Sequence, residues 1–417
     1  MAERSPAAFG QVPPRQARPS GPAGPQRQPD PRQLNASGLA ALARNEARAA
    51  AALFAQAAEL DPGAVPLWLN VAKAQRLLGD DAAERAALER ALALDALDLT
   101  ALIRRAELLQ RTGALADATV AWSAVLGVAP PPGQRSPALE ALLDAAQAFV
   151  SARNAAFAAA IDTALAPAKA AVGTAARRRV DAAIDAATGR RRVYSNVCAG
   201  LHFPFLPADE YFDRAHFPWL VAFEAHTPQI RAELLALLDT GDSAIEPYVA
   251  MVPGAPPTIW SGLDRSLDWS AYYLWQYGEP VAEALVRCPA TAAALAEVPM
   301  ADIPGRAPTA FFSILRPRTR IPPHTGVTNT RAIVHLPLVV PPGCGFRVGG
   351  ETRAWVEGEA LVFDDTIEHE AWNDSDAVRA VLIVDVWNPY IAPAEQSLLR
   401  DFFAAADASD FYPEPAH

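Results

Sequence analysis

One spacing constrains this chain more than any other. Asn45, Gly79 and Gly113 recur every 34 residues, and Phe54, Leu88 and Trp122 keep the same step. Leu60, Leu94 and Val128 form a third series at that period, and Asp61 and Asp95 close two of the units. Around these markers, from about Leu34 to Pro130, the sequence is rich in Ala and Leu with helical periodicity. Such a period accommodates two short helices and their turns. Gly or Asn falls where the chain reverses, because that reversal takes a left-handed backbone. The other slots are apolar because each helix pair buries a face on its neighbour.

A helix-pair repeat of this length resembles the tetratricopeptide repeat, and three units are about the minimum for a stable stack. An irregular Ala-rich helical bundle is the alternative. A stack offers a surface for a peptide or protein partner. Pro130–Pro132 with Gly133 interrupts the pattern, and less regular helical segments resume from about Pro137 to Thr188. Beyond Arg192, Ala falls while aromatics, Pro, Val and Ile rise. The organisation read from the sequence is a disordered leader over 1–33, helical repeats over 34–130, a helical extension over 131–192 and a separate domain over 193–417. The leader is rich in Pro, Arg, Gln and Gly and has no apolar core of a secretory signal.

From about Phe311 to Trp387 the sequence predicts β-structure. The expected strands are Phe311–Leu315, Ala332–Val340, Gly345–Val348, Thr352–Val356, Ala360–Asp364, His369–Asn373 and Ala377–Val386, separated by Pro- and Gly-rich turns. Many short strands at close spacing imply a barrel or sandwich. The net charge of −11 argues against a nucleic-acid partner. No stretch of about 18 apolar residues lacks a charge or proline, so no membrane span is expected. Three distant cysteines, Cys198, Cys288 and Cys344, suit a reducing cytoplasm.

Of seven histidines, His324, His335 and His369 lie in the β-region. His324 sits in the loop-like stretch Pro322-Pro323-His324-Thr325-Gly326, and His369 opens a strand. Two neutral imidazoles from distant strands suit Fe(II). The carboxylate that commonly completes such a site, two residues after the first His, is replaced by Gly326. Arg379, ten residues after His369, offers a planar fork for a carboxylate if its strand faces inward. A structural histidine and a surface arginine are the alternatives at these positions.

The segments Phe312-Ser313-Ile314-Leu315, Pro323-His324-Thr325-Gly326, Val334-His335-Leu336-Pro337-Leu338, Phe363-Asp364-Asp365, Glu368-His369-Glu370 and Val384-Asp385-Val386-Trp387 together resemble the aspartyl/asparaginyl β-hydroxylase family. The resemblance spans roughly Leu201 to Pro393. It implies a double-stranded β-helix (a jelly-roll, cupin-like domain) after the helical repeats. It also implies Fe(II), 2-oxoglutarate and O2, with hydroxylation at Cβ of an Asp or Asn in a peptide or protein substrate recruited by the repeats. His324 and His369 then match the iron ligands, and Gly326 the family's missing carboxylate. Arg379 matches the partner of the distal carboxylate of 2-oxoglutarate, and Ser313, His335 and Trp269 match further cosubstrate contacts. Asp364 and Asp365 read as turn formers or as partners that orient His369. Ile333 departs from an arginine seen in some members, with Arg331 two residues earlier. An oxygenase acting on a small molecule, lipid or free amino acid, with a halogenase as one variant, and a non-enzymatic adaptor are the competing readings.

Overall fold

The computed structural model describes residues 30–409. The chain divides into two compact units, Met1–Gly173 and Thr174–His417. Most of the expected leader lies outside the described residues. Its last positions, 31–33, are helical, because Asp30 caps the first helix and Pro31 occupies the position that needs no N–H.

The first unit is a series of helix pairs: α1 (Pro31–Ala43) with α2 (Ala47–Leu60), α3 (Val65–Leu78) with α4 (Asp81–Leu94), and α5 (Leu99–Arg111) with α6 (Leu115–Val128). A long helix, α7 (Pro137–Ala170), follows. The reversal slots behave as their spacing predicts: Asn45, Gly79 and Gly113 all have positive φ, at 60°, 74° and 79°. Phe54, Leu88 and Trp122 are all buried. The third apolar series behaves differently. Leu60 and Leu94 are each 46% exposed, because each is the last residue of its helix and lies past the packed face. Small residues let neighbouring helices approach closely; a Cβ on Gly38 would meet the Phe54 ring at 2.5 Å.

The second unit begins with α8 (Thr174–Ala187), upstream of the change in sequence texture at Arg192. Ion pairs hold α8 there: Arg178 reaches Asp209 and Glu351 and donates to the Tyr211 carbonyl. Two antiparallel sheets follow. The larger contains β1 (Glu246–Pro247), β2 (Trp269–Gln276), β3 (Glu279–Pro280), β4 (Ala310–Leu315), β6 (Arg331–Val339), β9 (Leu361–Phe363) and β11 (Arg379–Trp387). Its order is β1-β2-β4-β11-β6-β9, with β3 on β2. The smaller has the order β5-β10-β7-β8, from β5 (Thr319–His324), β7 (Cys344–Val348), β8 (Glu351–Arg353) and β10 (His369–Asn373).

Side chains alternate across the central strands with period two. Ala380, Leu382, Val384 and Val386 of β11, with Val334, Leu336 and Leu338 of β6, pack outward against the helices at Thr227–Thr240 and Pro289–Ala296. Val381 of β11, Ile333 of β6, Leu315 of β4 and Trp269 of β2 share the inner core with Phe346, Val348 and Ala371 of the smaller sheet. The paired sheets form the expected double-stranded β-helix. Four strands depart from expectation, the short β1 and β3 among them. Thr319–His324, whose end from Pro322 reads as loop-like in the sequence, is an edge strand, where prolines interrupt no ladder. Trp269–Gln276 is a strand the sequence reading did not propose. Among the described residues, no helix is long and apolar enough to cross a membrane.

The Phe54 ring joins α1, α2 and their neighbours in one core. Phe54→Ala is therefore expected to cost about 3–5 kcal/mol, read as a lower urea midpoint for the helical signal of the full chain. An unchanged midpoint would show that the stack does not depend on this ring.

Candidate active site

Strand pairing brings the two distant histidines together. His324 ends β5 and His369 opens β10, and the two are register partners. Their ring centroids lie 4.0 Å apart. Each ring is held by the same local device: His324 Nδ1 lies 2.8 Å from the Pro322 carbonyl, and His369 Nδ1 lies 3.0 Å from the Ile367 carbonyl. Nδ1–H donation to those carbonyls leaves both Nε2 lone pairs for a ligand. Burial depresses both imidazole pKa values; at His369 burial and the neighbouring His324 bring it down to about 3. Both rings are thus neutral, the form that binds a metal. Among the described residues, no third His, Cys, Asp or Glu completes a cluster with them.

The Gly326 position explains why no carboxylate follows His324. A Cβ built on Gly326 would lie 2.0 Å from Asp365 Oδ2 and 2.2 Å from its Cγ. The Asp365 side chain occupies the volume a residue-326 side chain needs, and Gly326 N–H donates to the Asp365 carbonyl at 2.7 Å. Burial raises the Asp365 pKa to about 7, and its Oδ1 has no partner. Asp364 serves the turn instead, accepting from Thr366 and from Asn196.

Arg379, Ser313, His335 and Trp269 converge on the same inner face. Arg379 is 1% exposed, and burial lowers its pKa to about 10. Its Nη1 lies 3.3 Å from both Ser313 O and Ser313 Oγ, and Trp269 Nε1 donates to Ser313 Oγ at 3.2 Å. The guanidinium lies over the Trp355 ring, 4.7 Å from its centroid. Among the described residues no carboxylate pairs with it, and its Nε is unpartnered. Two more buried polar atoms, His335 Nδ1 and Trp355 Nε1, also lack partners. The His335 ring lies between Phe346 and Phe363 at 4.9 and 4.8 Å. A buried cation beside orphaned donors fits a small anionic ligand, and two free Nε2 atoms fit a metal that takes nitrogen ligands.

Sequence reasoning missed three residues here. Trp355, read only as part of a strand, stacks on Arg379 and on Phe346. Trp260 packs edge-on to His324 at 4.9 Å and lies 5.8 Å from Trp269. Tyr248 stacks on Trp269 at 4.0 Å. The one available signal was the density of aromatics between Tyr248 and Trp275, which does not say which face they line.

Residues 224–389 match the family described as Aspartyl/Asparaginyl beta-hydroxylase. The chain is 42% identical over 134 residues to the aspartyl/asparaginyl beta-hydroxylase of Mus musculus, covering 32% of this chain and 18% of that protein. It is 34% identical over 186 residues to the ornithine lipid ester-linked acyl 2-hydroxylase of Rhizobium tropici, covering 44% of this chain and 62% of that protein. The match thus spans under a fifth of the first relative's length and less than two thirds of the second's. Among solved structures, the Sgt2 TPR domain from Aspergillus fumigatus is 22% identical, covers 32% of this chain and 87% of that domain, and gives a TM-score of 0.27.

The interlock of Gly326 with Asp365 is open to a double-mutant cycle. Gly326→Ala is expected to destabilise by about 1–3 kcal/mol through overpacking, and far less when Asp365 is also Ala. Strictly additive losses in calorimetry would show that the two positions do not compete for space.

Proposed function

Because residues 224–389 belong to the aspartyl/asparaginyl β-hydroxylase family, we propose that the second unit is an iron(II)- and 2-oxoglutarate-dependent hydroxylase. His324 and His369 hold the metal, and Arg379 with Ser313 holds the distal carboxylate of 2-oxoglutarate. The observation that carries this reading is the Arg379 guanidinium, buried with no anion beside it and with a free Nε. An uncompensated buried charge costs several kcal/mol, and a carboxylate ligand removes that cost through charge-assisted hydrogen bonds. His335 and Trp269 lie on the same inner face, packed among aromatic rings.

The iron, when bound with its cosubstrate and O2, supplies the oxidising power for inserting hydroxyl into a C–H bond. The chain's own residues do the positioning. The backbone carbonyls of Pro322 and Ile367 fix both imidazole tautomers, and the strand pairing of β5 with β10 fixes their separation. The substrate of this reading is an Asp or Asn residue of a peptide or protein, hydroxylated at Cβ, with the helical unit recruiting the chain that carries it. A second reading, hydroxylation of a lipid acyl chain, is favoured by the rhizobial relative, of which this chain covers the larger share.

Anaerobic addition of Fe(II) and 2-oxoglutarate to the full chain is expected to give a visible charge-transfer band that His369→Ala lacks. A folded wild type without the band would refute the site. The buried charge provides a second, metal-independent test. Arg379→Met is expected to raise the Tm of the ligand-free protein and to abolish the Tm increase that 2-oxoglutarate gives the wild type. An Arg379→Met protein that 2-oxoglutarate still stabilises would remove Arg379 from its assigned role.

A further inference from the structure

The helical unit carries a row of polar side chains that helix stacking does not need. The first helix of each pair contributes one: Asn35 on α1, Asn70 on α3 and Arg104 on α5. Direct bonds join the row across the helices. Asn70 Nδ2 donates to Asn35 Oδ1 at 2.8 Å, and Arg104 Nη1 donates to the Leu69 carbonyl at 2.6 Å. All three residues are half-buried, so each keeps a surface that a partner can reach.

The row has hydrogen-bonding capacity left over. Two carboxamides bonded once to each other always retain one C=O and one NH2, whichever way the amides are turned. No other partner meets these groups among the described residues. An acceptor beside a donor matches the N–H and C=O of an extended main chain.

The row also has charge left over. The neighbouring acids are already committed: Glu107 pairs with Arg76, and Asp81 and Glu84 pair with Arg111. Arg104 is left with the Leu69 carbonyl, and burial lowers its pKa more than nearby acids raise it. Lys73 is exposed, one turn from Asn70 on the same helix face, and has no ion pair among the described residues. The chain as a whole is acidic, with a net charge of −11, so uncommitted cations on one polar row are a local exception. Their complement is a carboxylate.

We propose that the face of α1, α3 and α5 around Asn35, Asn70 and Arg104 binds an extended peptide bearing a carboxylate. Arg104 and Lys73 take the carboxylate, and the two asparagines take the main chain. The proposal rests on the recruiting role given above to the helical unit, and names its face and its chemistry. It depends on neither the metal nor the cosubstrate.

The test is fluorescence anisotropy with the full chain and no added metal. Three fluorescein-labelled probes of equal length are compared. The first is a Gly-rich peptide with Glu and Asp, amidated at its C-terminus. The second has Gln and Asn in place of the acids, and the third is that neutral peptide with a free terminal carboxylate. The wild type is expected to bind a carboxylate-bearing probe about tenfold or more tighter than the neutral amidated one, by a margin that shrinks as salt is raised. Which of the two binds tells a side-chain carboxylate from a terminal one. Arg104→Gln and Lys73→Glu are each expected to erase most of the margin, and Arg90→Gln, which removes an exposed cation from α4, to leave it unchanged. Because Lys73 is exposed, its variant stays informative if Arg104→Gln folds poorly. Equal binding of all three probes, a margin that survives both variants, or one lost equally in Arg90→Gln would overturn this assignment and leave recruitment by the helical unit standing. No binding of any probe would overturn both. Self-association that Lys73→Glu abolishes, with no probe bound, would give the face to a second copy of the chain and overturn the proposal. The charge-transfer band described above tests the second unit separately.

Discussion

A guanidinium held at depth without an anion sets the terms for everything around it. Arg379 stays in place because β11 is clamped on its other face by Ala380, Leu382, Val384 and Val386, packed against helices. Its charge is softened by the Trp355 ring and by Ser313 oxygens rather than neutralised. Under the proposed function, a bound carboxylate would relieve the electrostatic cost of this buried charge. That relief would supply affinity for a small, strongly hydrated anion. The two histidines follow a related logic. They are kept neutral by burial and aimed by their own backbone, an arrangement that would need little reorganisation to take the proposed metal.

Much of this was legible in the chain itself, for reasons that differ by region. The repeat unit announced itself because the constraint at each reversal is local: only a left-handed residue serves, and Asn45, Gly79 and Gly113 mark the place. Burial was less legible, since Leu60 and Leu94 have the hydrophobicity of core residues but the position of helix ends. Most strands after Phe311 are found where apolar residues run together, whereas the aromatic-rich Trp269–Gln276 is missed. Thr319–His324 escaped because two prolines argue for a loop, an argument that fails at a sheet edge.

Site residues divide along the same line. His324, His369 and Arg379 stand out through the resemblance of their segments to a known family, since residue type and spacing alone leave a structural histidine and a surface arginine open. Trp260, Trp355 and the space-filling role of Asp365 do not. What each does depends on a partner far away in sequence, and nothing local distinguishes a tryptophan that stacks on a buried arginine from one that fills a core. The position of α8 has the same character: its composition belongs to the helices before it, yet Arg178 ties it to Asp209 and Glu351.

The contact between Gly326 and Asp365 has an evolutionary reading. A side chain at 326 and the carboxylate at 365 claim one volume, so the two positions form a single character with two mutually exclusive states. Placing a carboxylate at 326 would require both residues to change, and either step alone passes through a clash or a void. Steric exclusion alone thus keeps a side chain off position 326 for as long as Asp365 stands there.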